Sequence, residues 1–281
     1  MSGLHYAIMD PTGNITVLVT DPVPREKQPA LARELMADPQ IGGEQVGFLE
    51  KPEDPACRCR LQMMGGEFCG NATMSLAAYL VRNELADGEE TTVPLEVSGA
   101  EGALDCRIRR EGDAFEGTVR MPEAKGCNQV RLLWNGREVP VTKVELDGIT
   151  HLILKEEIAD DAEAEKMLRA WAELCDDEAV GLLQWNDAEG RMRPLVLVKP
   201  TGTAVWETGC GSGSAAVGVM KALESENAVT VTDVRQGGGT IRVTVSKNEK
   251  GPLTITITGK VRLVREGTID IVNWADKSGD A

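Results

Sequence analysis

The sequence predicts an α+β protein of two similar halves. Each half is expected to hold many short, mostly antiparallel strands with one peripheral and one central helix. Three observations carry this expectation. Strand-like patterns bounded by turn residues dominate the 281-residue chain. Two amphipathic stretches, Pro29–Met36 and Asp161–Cys175, read as peripheral helices. Two short segments look like copies of each other, Cys69-Gly70-Asn71-Ala72-Thr73 and Cys210-Gly211-Ser212-Gly213-Ser214, and each runs into a helix-like stretch about half a chain length from the other.

Taken in order, Tyr6–Met9 and Asn14–Val19 flank the turn Asp10-Pro11-Thr12-Gly13 and predict a hairpin. The first helix follows, with Pro29 near its start and Leu31, Leu35 and Met36 on one face. Gln45–Glu50, Cys57–Met63 and Thr92–Val97 read as strands, and Ala103–Met121 alternates as a hairpin does. Val130–Trp134 and Arg137–Val141, joined by Asn135-Gly136, form the clearest hairpin signal. His151–Leu154 is a strand, Asp160 is placed to cap the second peripheral helix, and Leu195–Val198, Ala228–Val234, Thr240–Val245 and Leu253–Ile257 complete the set. The break at Met121–Gly126 divides the chain into residues 1–122, residues 123–260, and a tail, 261–281. That tail carries one more strand, within Lys260–Trp274, expected to return to the first half.

The net charge of −15 argues against nucleic acid or an anionic membrane as partner, because both need basic surface. No apolar run is long enough to span a bilayer, and Met1–Tyr6 lacks the basic and apolar regions of a signal peptide. The expectation is a cytoplasmic protein acting on a small molecule, as monomer or homodimer. Seven irregularly spaced cysteines fit free thiols in a reducing compartment. Cys57-Arg58-Cys59 is the only close pair and has no second pair to complete a zinc site, so no metal is expected. Cys57, Cys59, Cys106, Cys127 and Cys175 read as small buried hydrophobes.

Cys69 and Cys210 read differently. A helix N-terminus presents unpaired amides and partial positive charge, which binds an anion and lowers the pKa of a neighbouring thiol. Two such ends would hold a carboxylate with a sulfur on either side, an arrangement suited to moving a proton from one face of a carbon to the other. A cofactor-free reaction of that kind needs a base, an acid, donors on the carboxylate and exclusion of water. Gly70 and Gly211 let backbone amides approach a ligand. Asn71, Thr73, Ser212 and Ser214 could cap the helices or bond the carboxylate, with capping favoured for Thr73 and Ser214. Glu67 and Glu207 each precede a cysteine and could pair with an α-ammonium, although a solvated carboxylate is the usual fate.

These motifs resemble the cofactor-independent amino-acid racemase and epimerase superfamily typified by diaminopimelate epimerase, over nearly the whole chain. Gly13-Asn14 stands where that family has a substrate-contacting Gly-Asn. Gly42-Gly43-Glu44-Gln45-Val46 resembles its Gly-rich segment ending in Asp-Gln, which brings Asn14 and Gln45 into the expected binding set. Cys69-Gly70-Asn71-Ala72 and Cys210-Gly211-Ser212-Gly213 match its two catalytic motifs, and His151 falls where it has Gly-Asn-Pro-His. The resemblance implies that each half is a barrel-like sheet around a central helix, with the active site between the halves. It also implies that Cys69 and Cys210 act as a thiolate and thiol pair without pyridoxal phosphate or any other cofactor.

The departures select a branch. Diaminopimelate epimerases carry an arginine before the second cysteine for the distal carboxylate, whereas this chain reads Val205-Trp206-Glu207-Thr208-Gly209-Cys210. Gly65-Gly66-Glu67-Phe68-Cys69-Gly70-Asn71-Ala72 and Glu207–Gly213 look closer to the histidine racemases of opine-type metallophore synthesis. An imidazole could be hydrogen-bonded by Glu207 or stacked on Trp206. Arg191, Arg193 or Lys199 could instead restore the missing charge, which keeps diaminopimelate or another amino acid open as substrate. A thiol redox or metal-binding module remains the alternative of another class.

Overall fold

The structure, a computed structural model, describes residues 3–248 and 251–269. Its contacts separate into two compact units. Among the described residues the first comprises 3–11, 15–117 and 261–269, and the second 12–14, 118–248 and 251–260.

The first unit starts with β1 (Leu4–Pro11) and β2 (Thr16–Val19), an antiparallel hairpin as the turn residues predict. The helix α1 (Gln28–Ala37) follows, then β3 (Gln45–Glu50), β4 (Cys59–Met63), α2 (Gly70–Val81), β5 (Glu90–Val97), β6 (Ala103–Glu111) and β7 (Ala114–Arg120). These strands neighbour one another in chain order, with β2–β3 and β4–β5 parallel and β3–β4 and β5–β6 antiparallel. The last strand, β16 (Thr254–Ile269), adds its residues from Val261 onward antiparallel to β1. The sequence suggested a strand ending at Ile257 and another beginning at Lys260. Gly259 does not break the ladder, and one strand runs through both; positions 270–274 of the expected segment lie outside the described residues.

Within this unit α2 is the central element. Thr73, Met74, Ser75, Leu76, Ala77 and Ala78 are all fully buried, so the helix has no wet face. It packs on β1, β2, β5 and β6. The helix α1 lies outside, with Leu31, Ala32 and Leu35 set against Val17, Val19, Val46 and Phe48.

The second unit holds β8 (Gly126–Trp134), β9 (Arg137–Leu146), β10 (Ile149–Leu154), α3 (Asp161–Ala172), β11 (Ala179–Asn186) and β12 (Arg191–Val198). It continues with β13 (Thr203–Trp206), α4 (Gly211–Glu224), β14 (Val229–Gln236) and β15 (Gly239–Ser246). Its strands run in the order β16–β15–β14–β12–β11–β10–β9–β8, with β13 on β12 and with β10–β11 parallel. Asn135 and Gly136 take positive φ of 49° and 78°, the mirror-image turn that an Asn-Gly pair favours. The outer helix α3 is capped by Asp160, whose carboxylate accepts the Ala162 amide at 2.9 Å. It buries Met167, Leu168 and Trp171 against Leu152, Leu182 and Leu195 and ends at Ala172, before the expected Cys175. The central helix α4 packs on β9, β10, β11, β14 and β15 with Ala215–Met220 buried. Two strands, β11 and β13, were not expected; Val180–Trp185 is buried on both faces and so shows no alternation.

Candidate active site

Both cysteines sit where the repeat places them, immediately before a buried helix, and both do more than precede it. Cys69 and Cys210 are themselves the N-cap residues of α2 and α4, in extended backbone conformation. Each sulfur accepts a first-turn amide: Ala72 N–H to Cys69 Sγ at 3.4 Å, and Gly213 N–H to Cys210 Sγ at 3.3 Å. Thr73 and Ser214, expected as caps, lie in the first turn instead. Their hydroxyls donate back to the carbonyls of Cys69 and Cys210, each at 2.7 Å. The polar side chain that would ordinarily cap is thus replaced by sulfur, and the hydroxyl four residues on ties down the cap carbonyl.

In the first unit Cys69 is half-buried, and its Sγ lies 3.2 Å from Gln45 Oε1. Gln45 opens β3, held by its amide and that of Glu44 on the Ile15 carbonyl, and its Nε2 reaches Thr16 Oγ1 at 2.7 Å. Gly70 and Asn71 follow in the helix and are buried. The approach to Cys69 is fixed by Ser98, which accepts the Met63 amide at 2.9 Å and donates to the Glu67 carbonyl at 2.8 Å. Glu67 itself is exposed.

In the second unit Cys210 is 4% exposed. Burial pushes its thiol well above the usual range, and the Glu207 carboxylate adds to that; hydrogen bonds from Ser212 and the Gly213 amide oppose it. The helix N-terminus does act downward on this thiol through the Gly213 amide, as expected, but desolvation and a neighbouring anion outweigh it. Ser212 Oγ stands 3.6 Å from Cys210 Sγ and 3.0 Å from Nε2 of His151. That histidine is wholly buried, which lowers its pKa to about 3, so at neutral pH the ring is uncharged. It fits only because its partner across β10–β11 is Gly181, where a Cβ would lie 2.3 Å from Nδ1.

Asn14 also belongs to this unit. The loop Thr12–Asn14 lies against Gly209 and Gly238: a Cβ on Gly209 would sit 2.1 Å from the Thr12 carbonyl oxygen and 3.2 Å from Asn14 N, and one on Gly238 2.3 Å from Gly13 Cα. Thr208 Oγ1 donates to the Gly13 carbonyl, and the Gly238 amide donates to the Thr208 carbonyl at 2.7 Å. Asn14, Glu207, Cys210, Gly211 and Ser212 are thus grouped in one unit, and Gln45, Cys69, Gly70 and Asn71 in the other.

Other groups that the sequence offered have partners of their own. Trp206 packs against the α3 core with the Arg193 guanidinium 4.5 Å from its ring centre, so one face of its ring carries a cation. Arg193 also pairs with Asp161, Arg191 pairs with Glu189 and Glu157, and Lys199 Nζ donates to the Cys175 carbonyl. Each of the three cations offered as a replacement for the missing arginine is engaged elsewhere. Among the described residues no cluster of three metal-ligating side chains occurs. Cys57, Cys59, Cys106 and Cys175 are buried and Cys127 is half-buried, all as free thiols. Gln236, which binds the Cys210 amide, was missed by sequence reasoning; the only signal was its place before three glycines.

A family model described as "Histidine racemase CntK N-terminal domain" matches residues 3–269. A histidine racemase of Staphylococcus aureus is 27% identical over 270 residues, covering 94% of this chain and 96% of its own. One from Fusobacterium nucleatum is 28% identical over 267 residues, covering 92% and 97%. Among solved structures, a probable proline racemase from Agrobacterium radiobacter superposes with a TM-score of 0.71 at 16% identity, covering 98% of this chain and 95% of that one. A hydroxyproline epimerase from Agrobacterium vitis gives 0.66 at 15% identity, covering 96% and 91%. At those identities the likeness speaks to the fold, a mixed α+β arrangement shared with racemases and epimerases.

Proposed function

The chain belongs to the histidine racemase family defined by the N-terminal-domain model, and from that premise we propose that it racemises an α-amino acid, histidine before others, without a cofactor. The observation that carries the reading is the pair of cysteine caps. In each, a sulfur rather than an oxygen accepts a first-turn amide of a buried helix. Family membership and the racemase names of its relatives support the reaction class. Cys69 and Cys210 are read as the two sulfurs that serve opposite faces of the substrate's α-carbon.

One sulfur removes the α-proton as thiolate while the other delivers a proton as thiol, and the reverse reaction exchanges the roles. The first-turn amides, with Asn71 and Ser212, receive the carboxylate as negative charge builds toward the α-carbon. Cys210 is held as thiol by burial and by Glu207. A substrate ammonium pairing with Glu207 would neutralise that anion and favour the thiolate, so binding itself would arm the base. Asn14, lodged beside Gly209, and Gln45, on Cys69, complete the binding set.

Histidine is preferred to diaminopimelate because a buried distal carboxylate left without a cation costs several kcal/mol. Here the segment before Cys210 supplies an acid, and the nearby arginines are engaged. The motif resemblance of Gly65–Ala72 and Glu207–Gly213 supports a place in opine-metallophore synthesis. Incubation with single amino acids in deuterated water under reducing conditions tests the proposal, read by chiral chromatography and mass. L-Histidine should yield D-histidine carrying one deuterium, at a higher kcat/KM than diaminopimelate. No exchange in any amino acid would sink the racemase reading, and a higher kcat/KM for diaminopimelate would sink the substrate assignment alone.

A further inference from the structure

We propose that Gln236, at the end of β14, is a positioning residue that locks the Cys210 cap onto the α4 amides. Its effect on turnover rests on the two-cysteine reading above; its effect on the thiol does not. The Cys210 amide donates to Gln236 Oε1 at 2.7 Å, Gln236 Nε2 donates to Ser214 Oγ at 2.9 Å, and Ser214 Oγ donates to the Cys210 carbonyl at 2.7 Å. The circuit begins and ends on the same residue: Gln236 holds the Cys210 amide directly and, through Ser214 Oγ, adds to the helix bond that the Ser214 amide already makes to the Cys210 carbonyl at 3.0 Å.

The circuit matters because an N-cap amide lies outside the helix ladder, and nothing in a helix fixes its direction. With amide and carbonyl both held, the Cys210 backbone is fixed in the orientation that sets the sulfur 3.3 Å from Gly213 N. The groups facing that sulfur are Glu207 from the preceding segment, and Ser212 in the first turn, itself backed by His151 of β10. Gln236 is neutral and bonds the cap backbone, so it acts by geometry and not by charge. The glycine run after it brings the turn close enough, with Gly238 bonded to the Thr208 carbonyl.

The test uses Gln236→Leu and Ser214→Ala in the full chain. Alkylation of Cys210 and Cys69 by iodoacetamide is followed against pH by peptide mass, beside steady-state kinetics with L-histidine. Gln236→Leu should move the Cys210 midpoint upward, because the sulfur loses the Gly213 amide, while the Cys69 profile stays in place. The kcat should fall about 10²-fold, the effect of roughly 1 Å of misplacement, with KM within about threefold. Ser214→Ala removes one corner of the circuit and should shift Cys210 in the same direction by less; it carries the test if the leucine variant does not fold. An unchanged Cys210 profile in a folded variant, or equal shifts at both cysteines, would overturn the proposal. If the parent protein racemises nothing, the racemase reading fails and the alkylation arm still decides the role of Gln236.

Discussion

Cysteine is a poor helix cap; serine, threonine, aspartate and asparagine are strongly preferred because their oxygens accept the free amides better. Both central caps nonetheless carry sulfur, with a hydroxyl four residues on holding the carbonyl, as the proposed chemistry requires. Cys69→Ser and Cys210→Ser should restore ordinary caps and leave melting temperatures close to the parent's. Each should cut racemisation by roughly 10²–10⁴-fold, since a hydroxyl is too weak an acid to replace a thiol at neutral pH. Substantial activity in either would refute the paired roles. The position of Cys69 and Cys210 at the starts of two buried helices was legible because small local motifs repeat at matching places. Gln236 was not, because its partner lies 26 positions away and only the folded turn joins them. Nor was the raised thiol of Cys210, since burial and the approach of Glu207 are tertiary facts.

At the level of elements, local chemistry and tertiary packing divide the credit. The Asn135-Gly136 hairpin, the Asp160 cap and the Pro29 helix start follow from residue type alone. The strands β11 and β13 do not. One is buried on both faces and the other is four residues long, so neither carries a period to read. The cap offers a check: Asp160→Ala should cost about 1 kcal/mol by denaturant unfolding, with activity unchanged, because α3 is an outer helix. The loop Thr12–Asn14 offers a second. Gly238→Ala would drive a methyl into Gly13 Cα and the Thr12 carbonyl, both backbone and unable to swing aside. The loop must then lift, displacing Asn14. We expect a loss of about 1–3 kcal/mol and a kcat/KM reduced at least tenfold. A variant matching the parent in both would show that the glycine contact does not set the loop.

For the whole molecule, the consequence reaching furthest is the dependence of stability on pH set by one buried ring. The chain has two histidines, His5 and His151. His5 is exposed beside Asp21, whereas His151 is fully buried, bonded through Nε2 to Ser212, and its Nδ1 has no hydrogen-bond partner among the described residues. Burial lowers its pKa from 6.5 to about 3. Between those values the unfolded chain binds a proton there and the folded chain does not, so stability rises with pH across the window and levels off above 6.5. Acidification from pH 6.5 to 5 should therefore remove about 1.5–2 kcal/mol through this group. Lower in the window, carboxylates held below their usual range, such as Asp187 beside Lys221 and Asp233 beside Arg242, add losses of the same sign. His151→Gln keeps a polar group for Ser212 and removes the titration. Unfolding in urea at pH 7, 6.5, 6, 5.5 and 5 should show the parent losing stability steeply and the variant shallowly, whatever their difference at pH 7. Parallel curves would mean that His151 is protonated in the folded state, and that the wall behind Ser212 and Cys210 admits water.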